Sequence, residues 1–410
     1  MTVAGKAIKK AACMLNQHQK VCPTIDSMLP IKKQLETIGG ENKDQHSAKR
    51  FYLPELDTLR FFAFLAVFLV HGFDDPVSRY TDAGVPAIIA RAITTVIQAG
   101  MFGVDLFFLL SSFLITSLLR REHNATGKID IRGFWIRRCL RIWPLYFFFV
   151  GFAGFLIPRI FHFVPPPENA HVIGLLTFTQ NWAIAFSDAG RGSPTLVLWS
   201  VSVEEQFYLI WPMLIAFLGL IKLRSIAIWM IAISIIARIY AIHAGASSYM
   251  LWLATPFRME PIAAGAIIAL ARNQLPAFSS KLRVGMLSLG LAIPVLCSSP
   301  LGDSRWAKAV IFPLVAFACT LIFLSIRGSG WRFLKLKPLV YLGKISFGLY
   351  VFHQLAIYFS PRLAIPGMPF GRSMAAFALT VVLAALSYRF LELPFLRLKD
   401  RFAHIQSRPA

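Results

Sequence analysis

Arg60 and His71 lie eleven residues apart in the first long apolar segment, Leu59 to Phe73. At 100° per residue that spacing returns to nearly the same helix face, about 16 Å further along. An ionisable group within a membrane span costs roughly 2.5–3.5 kcal/mol at mid-span. Such groups therefore face a protein interior or a wet cavity, and a histidine there suits the work of a general base. A neighbouring carboxylate would fix its tautomer and raise its basicity. Glu204 and Glu205 offer that carboxylate, near the start of a later segment that opens Leu198-Trp199-Ser200. They point about 100° apart, so at most one shares a cavity with His71. Arg138 and Arg141 abut the segment that continues Trp143-Pro144. A guanidinium fork matches phosphate oxygens, so this pair suits a phosphorylated ligand at a membrane mouth. The plainer reading of the buried groups is pairing between helices, and of the basic loop around Arg138, topology and contact with anionic lipid.

The elements that position these residues are helices in lipid. Of the 410 residues, 56% are hydrophobic and 15% charged, against roughly 25% charged in soluble domains. Mean hydropathy is +0.61. The expected fold is all-α, a polytopic membrane bundle of about ten transmembrane helices. The spans expected are 57–74, 98–119, 142–160, 198–221, 225–243, 250–271, 284–299, 309–326, 338–359 and 373–394. With a cytosolic N-terminus, 29 of the 42 Lys and Arg fall inside. Making 171–186 an eleventh span would reverse every later loop against the positive-inside rule. Residues 158–197 are therefore expected outside as one long loop, with 171–186 lying on the bundle or dipping back into it. Both termini are then cytosolic. The net charge of +22 is explained by this placement, and no nucleic-acid partner is expected.

The direction of the first span puts Arg60 toward the cytosol and His71 toward the outside, level with Glu204 and Glu205. Other polar groups fall within spans: Asp105, Ser111, Arg238, Arg258, Glu260, Lys344, Ser346 and His353. His353 is expected near the depth of His71. Asp57, Arg60, Arg389 and Glu392 are expected as ion pairs near the inner end. Five cysteines show no metal-ligand spacing, and no metal is expected. Residues 1–50 read as a basic, disordered cytosolic tail without an apolar leader, and 397–410 as a basic cytosolic tail.

In order along the chain, the motifs are Leu56-Asp57-Thr58-Leu59-Arg60 with His71, Gly103-Val104-Asp105 through Ser111-Ser112-Phe113, and Arg138-Cys139-Leu140-Arg141. They continue with Trp199-Ser200-Val201-Ser202-Val203-Glu204-Glu205-Gln206-Phe207-Tyr208, Gly343-Lys344-Ile345-Ser346 with Tyr350 and His353, and Glu392-Leu393-Pro394. Over about 52–396 this set resembles the integral-membrane acyltransferase type 3 family, whose members O-acylate bacterial surface sugars, Nod factors and similar glycans. The domain expected is thus 51–396. Ser111-Ser112 departs from the family's usual Ser-Gly.

The resemblance implies an O-acyltransferase of the bacterial inner membrane, most simply an O-acetyltransferase. The donor would be cytosolic acetyl-CoA or another acyl-CoA, and the acceptor a surface or lipid-linked carbohydrate. Arg138 and Arg141 would hold the donor phosphates, with help from Arg60. His71, oriented by Glu204 or Glu205, would act as general base or carry the acyl group transiently. Tyr208 or Ser346 would donate to the oxyanion. Asp57, Asp105, Ser111, Arg258, His353 and Glu392 would give support. The competing expectation is a secondary transporter or flippase for a lipid-linked or phosphorylated solute, using the same charges as a relay. The lack of an evident internal repeat weakens it.

Overall fold

A proline at the first helical position and no further helix breaker before Gly72 give α1, Pro54–Gly72, an early start and a clean run. Glu55 and Asp57 in its first turn favour the helix dipole. A computed structural model describes residues 51–73, 77–167, 169–187, 192–271, 276–299, 304, 306–363, 370–402 and 405. Among these there are helices and turns and no strand.

After α1 come α2, Ala87–Gln98, and α3, Gly103–Thr126, joined by a single 3-10 turn. Then follow α4, Ile131–Phe149, and α5, Trp199–His243. Next, short helices aside, come α6, Met259–Leu270; α7, Ser280–Cys297; α8, Ala307–Ile326; α9, Ser346–Leu363; α10, Gly371–Ser387; and α11, Leu393–Lys399. They belong to one compact unit, Tyr52–Ala410. Residues 1–50, where the tail is expected, lie outside the described residues, as do 403–404 and 406–410.

Among the described residues, six helical stretches are long and apolar enough to cross a membrane: Ala87–Thr126, Ile131–Ile160, Pro194–His243, Ser280–Cys297, Ala307–Ile326 and Gly371–Phe402. Helix α1 is not among them because Glu55, Asp57 and Arg60 crowd one end. In α9, His353 and Gln354 lower the hydropathy. Both are interior helices. Residues Leu59, Phe64, Val67 and Phe68 of α1 and Leu349, Val351 and Phe352 of α9 are buried. A straight helix as long as α5 would run about 68 Å, over twice a hydrocarbon core. Gly219 breaks it, with φ 75° and ψ 164°, a conformation that glycine tolerates.

Segment 169–187 forms two short helices, Asn169–Thr177 and Gln180–Ser187. Phe178 at the corner holds φ at 55°. Its ring lies 4.6 Å from that of Tyr146 and stacks on Trp143 at 5.7 Å. Gln206 of α5 donates to the Phe178 carbonyl at 2.9 Å and to Asn181 Oδ1 at 3.0 Å.

Glycines set how closely α1 is gripped. A Cβ on Gly343 would collide with the backbone carbonyl of Asp57. We expect Gly343→Ala to push the helix Lys337–Lys344 off α1, lowering the unfolding temperature in detergent sharply or leaving no folded protein. Gly285→Ala is the control, since nothing lies within 4 Å of its Cβ. It should be neutral or slightly stabilising, because alanine is the better helix former.

Candidate active site

His71 occupies the last turn of α1 and is exposed. Its Nδ1 lies 2.9 Å from the Val67 carbonyl. A carbonyl only accepts, so Nδ1 carries the hydrogen and Nε2 the lone pair. His353 of α9 repeats this logic, with Nδ1 donating to the Tyr350 carbonyl at 2.6 Å. It is fully buried, and its ring centroid lies 5.1 Å from that of His71. Two imidazoles thus meet, each with its tautomer fixed by a backbone carbonyl one turn back.

The glutamates lie elsewhere. Glu204 accepts from Ser111 Oγ of α3 at 2.9 Å and from Tyr208 OH at 2.6 Å. Glu205 accepts from Trp143 Nε1 of α4 at 3.3 Å. Neither carboxylate is hydrogen-bonded to His71, in contrast to the expected orienting contact. The group that fixes the His71 tautomer is the Val67 carbonyl. The Tyr208 hydroxyl is committed to Glu204 rather than held ready for an oxyanion. Ser346 starts α9, seven residues before His353 and about 10 Å along the helix.

Arg138 is wedged between aromatic faces, 5.5 Å from the Phe134 ring and 5.7 Å from that of Tyr208. Arg60 and Arg138 both act electrostatically on Glu204, and Arg141 on Arg138. The expected donor-site arginines and Glu204 therefore share one neighbourhood. Asp57 accepts from Tyr52 OH at 2.9 Å, and Glu392 from Ser387 Oγ at 3.1 Å. Asp105 and Arg258 form a buried ion pair at 2.9 Å.

Ser200, Glu204 and Tyr208 follow at i, i+4 and i+8 on α5, one stripe of a single face. Ser200 Oγ shares a hydrogen bond with Tyr350 OH at 2.7 Å, and Tyr350 holds His353. The stripe thus links the histidine pair to the arginine end. Ser200, Tyr350, Trp143 and Gln206 were not singled out as site residues by sequence reasoning. The i, i+4, i+8 spacing was the signal for Ser200. Among the described residues no group of three His, Cys, Asp or Glu could hold a metal ion.

Apolar helices of membrane length around an interior carrying a lone-pair imidazole nitrogen, bound carboxylates and arginines define a multi-pass helical membrane protein equipped for proton and anion chemistry. Residues 53–389 match the acyltransferase domain family, and the chain belongs to that family. Relatives include O-acetyltransferase OatA of Staphylococcus aureus strain NCTC 8325 / PS 47, 29% identical over 372 residues, covering 84% of this chain and 57% of the relative. The protein of the same name from strain N315 has the same identity and coverage. The chain thus spans a little over half the length of these curated relatives. No solved structure matches.

Proposed function

We propose that the protein is a membrane O-acetyltransferase. It moves an acetyl group from cytosolic acetyl-CoA to a hydroxyl of a surface or lipid-linked carbohydrate. The observation that carries this reading is His71 with Nε2 as its lone-pair nitrogen, in the last turn of α1 of an acyltransferase-family chain. The acceptor hydroxyl gives its proton to Nε2 as its oxygen attacks the thioester carbonyl. The tetrahedral oxyanion collapses, the C–S bond breaks, and the imidazolium returns the proton to the departing CoA thiolate. Arg138 and Arg141 hold the donor phosphates on the cytosolic side, with help from Arg60. The Ser111 and Tyr208 hydroxyls keep Glu204 in place.

In the proposed topology ten spans place both termini in the cytosol of an inner-membrane protein. The break at Gly219 supports counting 198–221 and 225–243 separately. The segment 169–187 then re-enters from outside, its corner reaching the level of Glu205. The test is purified protein in vesicles given acetyl-labelled acetyl-CoA and a glycan acceptor. Labelled O-acetyl ester on the glycan, with CoA released in equal amount, is expected. Solute movement without consumption of acetyl-CoA would instead establish the flippase.

A further inference from the structure

His353 carries a polar atom that its surroundings leave unsatisfied. The residue is 0% exposed. Its Nδ1 donates to the Tyr350 carbonyl, so Nε2 holds a lone pair. That nitrogen is buried and has no hydrogen-bond partner. Buried polar atoms are nearly always paired, and an exception carries a desolvation cost. A phenyl ring would fill the same space without it. An unpaired acceptor beside the residue assigned to proton transfer therefore calls for a use.

The attachment of the ring fixes where the lone pair lies. Nδ1 is tied to the backbone of α9 one turn back, so Nε2 is on the edge turned away from it. That turn is itself clamped to the start of α5. The Tyr350 hydroxyl donates to the Val197 carbonyl at 3.1 Å and shares a hydrogen bond with Ser200 Oγ. Among the described residues, the rings that His353 meets outside α9 belong to α1: His71 at 5.1 Å and Phe64, edge-on, at 6.1 Å. Of these two, only His71 gains charge in the proposed reaction, as Nε2 takes the acceptor's proton. Its Nδ1–H is committed to the Val67 carbonyl, and its Nε2 is assigned to the acceptor hydroxyl. What His353 can offer is thus a fixed dipole beside a developing charge. His71 is exposed on one side and backed on another by the dry ring of His353. A preorganised dipole counts for more there than in water.

We propose that His353 is a positioning residue of the transfer reaction: its neutral ring, held with the Nε2 lone pair turned off α9 toward α1, stabilises the imidazolium that forms at His71. This rests on the reading of His71 as the general base. The part expected of a glutamate is played by a second histidine. His353 touches neither the substrate nor the migrating proton.

The test compares His353→Phe, which keeps a ring and loses the lone pair, with His353→Gln, whose side-chain oxygen reaches about as far as Nε2. His353→Phe should lower kcat about tenfold, with the KM for acetyl-CoA and for the glycan unchanged. His353→Gln should recover most of that loss. A purely structural role predicts the opposite order, because a phenyl ring suits a buried apolar site better than an amide. Finding the Phe variant the more active of the two would overturn the proposal, as would wild-type kcat in it. Nitrogen-15 NMR of histidine-labelled wild-type protein covers the case in which neither variant folds. A proton on Nδ1 of His353 is expected, and one on Nε2 would overturn the proposal. His71→Gln separates the two levels of argument. Full activity of His353→Phe beside an inactive His71→Gln would remove His353 alone. Full activity of His71→Gln would remove the base on which this role rests.

Discussion

His71→Ala is expected to lower acetyl transfer about 100- to 10,000-fold, the range typical of losing a general base, while folded protein is retained. The two halves of that result have separate causes. His71 sits in the last turn of α1 with its side chain exposed, and its hydrogen bond goes to its own helix at Val67. Removing it opens no core cavity, and alanine suits the helix. What the reaction loses is the ring nitrogen opposite Nδ1. His71→Gln keeps a polar group of similar reach but cannot take a proton, so it should fall as far as alanine. Transfer, detergent stability and glycan acetylation measured together decide the matter. A His71→Gln protein with near wild-type turnover would remove the residue from the reaction.

The residues proposed for this chemistry stand out in the chain by type and spacing, and their wiring does not. Helical periodicity puts Arg60 and His71 on one face, and the basic loops give α1 its expected direction. The stripe Ser200, Glu204, Tyr208 follows from the same arithmetic. What periodicity leaves open is the rotation of one helix against another. The expectation that Glu204 or Glu205 orients His71 assumed that equal depth meant contact. In the folded bundle α3 presents Ser111 to Glu204, and α4 presents Trp143 to Glu205. The imidazole nearest His71 comes from α9, nearly three hundred positions away in the chain. Such pairings depend on long-range packing, including the glycine contact of Gly343 with the backbone at Asp57. Likewise, hydropathy marks lipid-facing helices best. Interior helices such as α1 and α9 dilute the signal with the polar groups that make them useful.

Arg258→Met should cost the fold roughly 3–5 kcal/mol, the usual penalty for stranding one member of a buried ion pair. Arg258 and Asp105 are 0% and 1% exposed at the side chain, and the neighbouring pair Arg238 and Glu260, 2.6 Å apart, is equally buried. The four charges cancel. Both guanidinium groups lie 4.7 Å from the Phe312 ring, and Arg258 is 5.2 Å from Trp252 and 5.8 Å from Trp199. Losing Arg258 therefore leaves Asp105 charged in an aromatic cage. Replacing both partners with apolar groups, as in Asp105→Leu with Arg258→Met, removes that charge and should recover most of the stability, since buried pairs are often no better than a packed apolar equivalent. Activity is expected to return with the fold. Asp105 lies six residues before Ser111 on α3, and Trp199 five before Glu204 on α5. The pair thus acts by holding the two helices that seat Glu204. Thermal unfolding and acetyl transfer measured on both single variants and the double separate the roles. A stable double variant without activity would mean that Arg258 or Asp105 touches the substrate itself.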